Sequence, residues 1–288
     1  MRRALVIVNE HSRSGAEHRD RVIEALRAAG IEVVVPPIAR PADIGAAIRA
    51  HRAAVDCVVL GGGDGTLQCA AGALAGSGLT LGIVPLGTAN DLARTLELPL
   101  DLEEACAVIA RGHRRAIDLG LVNGRHYFNV ANVGLGVEVR RALSPRAKRW
   151  WGALSYARAA FGAWRRQHPF QAIIEADGRA ITVPAIQIAV GNGRCYGGGM
   201  AVHEEASIDD GLLDLYAIRP KPFWRLIGLG PLIKHGRLDE AEGVVQLHAR
   251  AVSVSTPRPM EITADGETIG RTPARFGVLP ASLHVYVK

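Results

Sequence analysis

Short apolar runs recur through the first 110 residues, separated by segments with helical spacing, and each run stops at a glycine, a proline or a small polar residue. Ala4–Val8 ends at Asn9, Ile31–Val35 at Pro36, Val55–Leu60 at Gly61 and Leu79–Val84 at Pro85. Between them, Val22, Ile23 and Leu26 form a helical stripe that stops at Gly30, after capping-box spacing in Ser14-Gly15-Ala16-Glu17. Ile44, Ala47 and Ile48 mark a second helix, and further helices are expected after Thr66 and from about Thr88. Short, mainly apolar strands that alternate with helices predict a parallel sheet covered on both faces. In such sheets ligands gather beyond the carboxyl ends of the strands.

The rhythm changes after Arg111. Asn123-Gly124 separates Asp118–Val122 from His126–Val130, Asp177-Gly178 separates Phe170–Ala176 from Ala180–Val190, and Asp265-Gly266 separates Met260–Ala264 from Thr268–Ile269. Each dipeptide is a hairpin signal, because both central residues of the tightest hairpin turn need positive φ. The expectation is an α/β domain over 1–120 and a β-rich, sandwich-like domain over 121–288, with a cleft between them. The last residues are expected to pack back on the first domain. Pro145–Gln167, carrying Trp150, Trp151, Tyr156, Phe161 and Trp164 among basic residues, is expected to form a helical insertion.

With 48% hydrophobic residues and 5% aromatics, the 288-residue chain is of globular α/β type. Cys57, Cys69, Cys106 and Cys195 form no CxxC pair, and the first three lie in apolar runs, so buried thiols are expected. Met1-Arg2-Arg3 leads into too short an apolar run for a secretory signal, and Gly65–Asn90 is too broken by glycine and proline to span a membrane. A cytoplasmic location follows as an expectation. The net charge of +6 suits a phosphate-rich ligand, nucleic acid or an anionic membrane without choosing among them.

The stretch Leu60-Gly61-Gly62-Gly63-Asp64-Gly65-Thr66 holds more glycine than a turn requires. A glycine turn between strand and helix presents free N–H groups at the positive end of the helix dipole, where phosphate oxygens bind. No Gly-Lys-Ser/Thr occurs, so this is not a Walker A loop, and the spacing does not fit the dinucleotide fingerprint. Asp64 beside a phosphate makes sense if a divalent metal bridges them. Leu81–Arg94 repeats the design, with Gly87, Thr88 and Asn90 at the turn, and Asn9–Gly15 offers a third such loop.

Gly62–Thr66 (GGDGT) together with Pro85–Arg94 (PLGTANDLAR) resembles the diacylglycerol kinase catalytic-domain family, which includes bacterial lipid kinases and the sphingosine and ceramide kinases. The likeness runs nearly the whole length and includes Asp209–Leu215 (DDGLLDL) and Asp265–Glu267 (DGE). It implies a lipid kinase using ATP and Mg²⁺, acting on diacylglycerol or a related glycerolipid at the cleft. The nucleotide contacts it implies are Asn9, Gly62, Gly63, Asp64, Gly65, Thr66, Leu67, Gln68 and Thr88. The implied structural magnesium site is Asp210 with main-chain carbonyls of Ser207 and Leu212. The implied proton acceptor is Glu267, with Asp64 as the other catalytic residue.

On the residues alone, Asp265-Gly266-Glu267 is equally an ordinary hairpin with a solvated Glu, and Asp209-Asp210-Gly211 an ordinary turn. The chain departs from the family at Glu10-His11, at Gln68 and at Pro36–Ala39, where a nucleotide-contacting Thr is usual. His18-Arg19-Asp20 spells a protein-kinase tripeptide, but it falls on a helix whose face is expected to be solvated. The basic, tryptophan-bearing stretch Arg140–Arg166 suits a membrane surface or a core helix with snorkelling arginines, and Phe223–Leu229 is equally two-sided. Rival readings are a soluble NAD kinase-like enzyme and a non-catalytic nucleotide or lipid binder. Nucleic-acid binding ranks last, and a homo-oligomer stays open.

Overall fold

The computed structural model describes residues 2–9, 15–142, 161–162, 164–165 and 168–288. Ser14 and most of the 145–167 insertion lie outside the described residues. The N-terminal part runs β1 (Arg3–Val8), α1 (Gly15–Ala28), β2 (Glu32–Val34), α2 (Ile44–His51), β3 (Cys57–Gly62), α3 (Asp64–Leu74), β4 (Thr80–Pro85), α4 (Asp91–Thr95) and α5 (Leu102–Arg111). The strands β2-β1-β3-β4 pair in parallel, in that order. Their side chains are apolar on both faces because helices cover both: Leu5, Val6, Val58, Val59, Leu81 and Val84 have no exposed surface. Local chemistry sets the helix limits. In α5, the Asp101 side chain accepts the Glu104 N–H at 3.0 Å, and Gly112 ends the helix at φ +80°.

The chain continues through β5 (Arg114–Val122), β6 (Arg125–Tyr127), β7 (Val130–Gly134), α6 (Leu135–Ala142), β8 (Phe170–Ala176), β9 (Arg179–Ala185), β10 (Gln187–Gly191), β11 (Cys195–Tyr196), β12 (Met200–Ala201) and β13 (Leu213–Ile218). It closes with α7 (Phe223–Gly228), α8 (Gly230–His235), β14 (Val244–Ala249), β15 (Ala251–Ser255), β16 (Glu261–Ala264), β17 (Glu267–Arg271) and β18 (Ala274–Tyr286). The three hairpin dipeptides turn as their composition predicts, with Asn123, Asp177 and Asp265 at φ between +47° and +48° and a glycine following each.

The first sheet is larger and more mixed than a purely parallel one. Its ten strands follow the order β2-β1-β3-β4-β18-β15-β8-β9, with β5 pairing β18 and β6. The 13-residue β18 makes the join. Its far end lies parallel to β4, pairing His284 with Thr80, while its near end is antiparallel to β15. A register shift between Leu279 and Leu283, with Ala281 at φ +47°, lets one strand serve both partners. The second sheet, β14-β13-β10-β7-β16-β17, is antiparallel throughout. Alternate residues such as Ala172 and Ile174 on β8 and Leu213, Leu215 and Ala217 on β13 meet in one apolar layer between the sheets. The apolar run expected as a single strand over Ala180–Val190 divides at Ile186: β9 belongs to the first sheet and β10 to the second.

Cys57 and Cys106 are buried thiols, as expected, but Cys69 is exposed on α3. Its neighbours Ala70 and Ala71 face the core, and an apolar run in a helix always includes positions on the outer side.

Candidate active site

Three parallel strands end side by side, and their loops meet. Asn9 follows β1 and donates its backbone N–H to the Gly61 carbonyl of β3 at 2.8 Å, while Leu86, after β4, donates to Gly62 at 3.0 Å. β3 passes into α3 through one residue, Gly63, which is extended and gives the helix no side-chain cap. The first N–H groups of α3 thus have no side chain of the N-cap residue over them. The glycines are required by close approach. A Cβ on Gly87 would stand 2.5 Å from Gly63 Cα and 2.7 Å from Asn90 Oδ1. One on Gly62 would stand 2.5 Å from Thr66 Oγ1. Thr66 Oγ1 in turn accepts from Asn9 Nδ2 at 3.3 Å. Asn90 closes the second loop from both ends, accepting the Gly87 N–H at 2.9 Å and donating to the Gly87 carbonyl at 3.0 Å, with a left-handed backbone that asparagine tolerates.

Four carboxylates border these loops. Asp64 accepts the Leu92 N–H at 3.3 Å, tying the start of α3 to the start of α4, and burial holds its pKa above the usual carboxylate range. Asp91 accepts the N–H groups of Gly198 at 2.8 Å and Gly199 at 3.2 Å, so it holds the turn between β11 and β12. Asp265 reaches back to β7: its carboxylate accepts from Phe128 at 2.6 Å, Asn129 at 3.0 Å and Val130 at 3.3 Å. Burial pushes Asp265 up to about 7 against those three amides, and the charge of Asp64 adds to the rise. These bonds fix the hairpin against the start of β7, and Glu267, next to the turn, places a carboxylate oxygen 3.5 Å from where a Gly65 Cβ would stand. Residues 200 positions apart in sequence thus face each other across the start of α3.

Asp91 gives a testable pH dependence. Burial, and then the charge of Asp64, push its pKa up to about 6. Between the unfolded value of about 4 and that folded value, the folded chain holds a proton the unfolded chain has lost, so stability falls as pH rises. Asp91→Asn keeps Oδ1 as acceptor for both glycine amides and removes the ionisation. Thermal melts are expected to show the variant matching the parent near pH 4 and exceeding it above about pH 7. A difference that stays constant with pH would refute this.

The turn singled out for a cation is built differently from the loops. Asp210 Oδ1 accepts the Leu212 N–H at 2.9 Å, and Ser207 Oγ donates to Asp209 at 2.6 Å, which itself pairs with Arg115. Asp118, buried in β5, anchors this turn: its two carboxylate oxygens accept from Gly211 and from Ala281 at the irregularity of β18, both at 2.7 Å. The donor set offered by Asp210 and the carbonyls of Ser207 and Leu212 is all oxygen, the kind Mg²⁺ and Ca²⁺ take, so the residues fit such an ion.

Two residues of the expected nucleotide set do not join the others. The Leu67 side chain is 2% exposed and packs in the N-terminal core. Gln68 donates Nε2 to the His126 carbonyl at 2.7 Å, which ties α3 to β6. Thr88 is exposed at the rim of the second loop. Beside the loops, a cavity of about 400 Å³ is lined by Asn9, Pro36, Pro37, Ile38, Arg40 and Thr66, and Arg19 also reaches it. The helix face of His18-Arg19-Asp20 is therefore not simply solvated, because Arg19 is half-buried against this cavity. Sequence reasoning missed Asp91, Asp118 and Asp265 as organisers. Asp91 stood inside a quoted motif, whereas Asp118 reads as any strand residue.

A parallel sheet with converging glycine loops is thus faced by a hairpin of the β-rich part. The diacylglycerol kinase catalytic domain matches residues 3–122, and the YegS C-terminal NAD kinase beta sandwich-like domain matches residues 130–287. A "Probable lipid kinase YegS-like" of Pseudomonas aeruginosa (strain UCBPP-PA14) is 33% identical, over 98% of this chain and 94% of its own. A diacylglycerol kinase of Bacillus subtilis (strain 168) is 28% identical, over 99% and 96%. The crystal structure of a diacylglycerol kinase from Bacillus anthracis str. Sterne superposes with a TM-score of 0.77 at 22% identity, covering 100% of this chain and 97% of that one. At that identity the likeness shows the fold. The chain belongs to the diacylglycerol kinase catalytic-domain family, in the branch that carries the YegS-type C-terminal domain.

Proposed function

We propose that this protein is an ATP-dependent lipid kinase that phosphorylates a hydroxyl of diacylglycerol or a related membrane glycerolipid. The observation that supports the reading is the contact of Gly63 with Gly87, which brings the two glycine loops together, with Glu267 beside Gly65. Phosphoryl transfer needs positioning and charge stabilisation more than covalent help. The amides at the start of α3 hold the phosphoryl tail, and the cavity beside Asn9 and Pro36–Ile38 takes the nucleoside. Glu267 accepts the proton of the lipid hydroxyl as its oxygen attacks the γ-phosphorus and ADP departs. Asp64 would hold the nucleotide's cation, directly or through water, and Asp210 with the Ser207 and Leu212 carbonyls would hold a structural one. A bound Mg²⁺ spreads the charge that develops on the phosphoryl oxygens.

The acceptor reading draws on the surface as well as the family. Trp224 and Ile227 of α7 are 66% and 61% exposed, Arg225 lies over the Trp224 ring, and Phe161 is exposed beside Phe223. Apolar and aromatic side chains interleaved with arginine suit the interfacial layer of an anionic bilayer. Among the described residues no helix is long and apolar enough to cross a membrane. In the test, purified protein is mixed with γ-labelled ATP, Mg²⁺ and vesicles containing diacylglycerol. The expected product is labelled lipid. Absence of label from every lipid, or consumption of ATP with NAD when lipid is omitted, would refute the reading.

A further inference from the structure

His203, Asp214 and His248 form a cluster outside the phosphate loops, with one ligand atom from each within 4.8 Å of the others. The sheet builds half of it. β13 and β14 are antiparallel neighbours, and their register sets Asp214 opposite His248, so both side chains stand on one face. His248 Nδ1 lies 2.6 Å from Asp214 Oδ1. The third member comes from the loop after β12, with His203 Nδ1 4.0 Å from the same oxygen. The two rings meet edge to face with centroids 4.6 Å apart. The backbone at His203 is held in place: Val202 donates to the Arg194 carbonyl at 3.0 Å, and Gly236 packs against the His203 backbone too closely to admit a Cβ.

Asp214 is 5% exposed, in a strand flanked on both sides by others. A buried carboxylate is costly unless a cation balances it. Among the described residues its ion-pair partners are these two histidines, with no lysine or arginine. His203 Nδ1 accepts the Glu205 N–H at 3.3 Å, so that nitrogen carries a lone pair rather than a proton, and an ion bound there takes the place of this long hydrogen bond. Two imidazole nitrogens and one carboxylate oxygen are the donor set of Zn²⁺ and its first-row neighbours, whereas Mg²⁺ and Ca²⁺ take oxygen. The exposed His248 leaves the cluster open to solvent.

We propose that His203, Asp214 and His248 bind one zinc-class divalent ion, with water in the fourth position. The ion replaces the proton now shared between His248 and Asp214, which leaves to solvent. It fastens the loop that bears His203 to β13 and β14, and that loop continues into the turn bearing Asp210. This site does not depend on the kinase reading.

The test uses full-length, untagged protein stripped with a chelator, titrated with CoCl₂ by visible absorption and with ZnCl₂ by equilibrium dialysis. One ion per chain is expected, with Zn²⁺ displacing Co²⁺ and excess MgCl₂ leaving both in place. His248→Ala and His203→Ala are each expected to weaken binding at least about tenfold. Removing the exposed His248 ring leaves the core packed but takes away the close partner of Asp214, so circular dichroism and thermal melts of each stripped variant beside the parent separate a loss of affinity from a loss of fold. No bound ion, or an affinity unchanged in either variant, overturns the proposal; the chain's ten histidines make the second comparison necessary.

Discussion

Glu267→Gln is expected to lower kcat for lipid phosphorylation about 10²–10⁴-fold, the range for losing a general base, while nucleotide affinity stays at the parent value. Glutamine keeps the shape and reach of the side chain and removes its ability to take the proton. The position favours a clean result, because Glu267 is exposed on β17 and lies outside the core. Its aim is set by Asp265, whose three amide partners on Phe128–Val130 hold the hairpin, and those are untouched by the substitution. Steady-state rates and nucleotide titration on the same preparation check it. An unchanged kcat would remove Glu267 from the chemistry.

Asp64→Asn is expected to cost about 10²–10³ in kcat/KM, comparable to removing one charge-stabilising group from a transition state. The amide still offers an oxygen to the Leu92 N–H, so the link between α3 and α4 survives and the melting temperature should move little. What disappears is the negative charge at the phosphate end of the crevice. The variant is therefore expected to need much more Mg²⁺ for half-maximal rate. Full activity at the parent's Mg²⁺ requirement would mean that Asp64 acts only as a structural cap.

These two residues show how unevenly the sequence discloses such a site. Gly62–Thr66 and Gly87–Asn90 were legible because strand, glycine turn and helix start are local patterns, and parallel strands force their ends to one side. The contact between Gly63 and Gly87 follows from the β3–β4 pairing, which local pattern had already implied. Glu267 was different. Its neighbourhood reads as a hairpin, and the carboxylate of Asp265 fixes that hairpin by bonding to a segment about 136 positions away. Tertiary hydrogen bonds of that separation leave no periodicity behind. The same holds for Asp118, which joins the Ser207–Leu212 turn to β18, whereas the return of the last residues to the N-terminal part was expected and only the single long strand that spans both parts was not. The side chains of Leu67 and Gln68 turn away from the loops because α3 already starts at Asp64, one facing the core and the other β6.

In the proposed mechanism one crevice holds the nucleotide's phosphates and presents them to Glu267. A crystal structure with a non-hydrolysable ATP analogue and Mg²⁺ tests it most directly. The phosphates are expected against the amides of Gly63–Thr66, with the Gly87 loop alongside and the Glu267 carboxylate facing the terminal phosphate. Phosphates seated away from these loops, or a terminal phosphate turned away from Glu267, would contradict it.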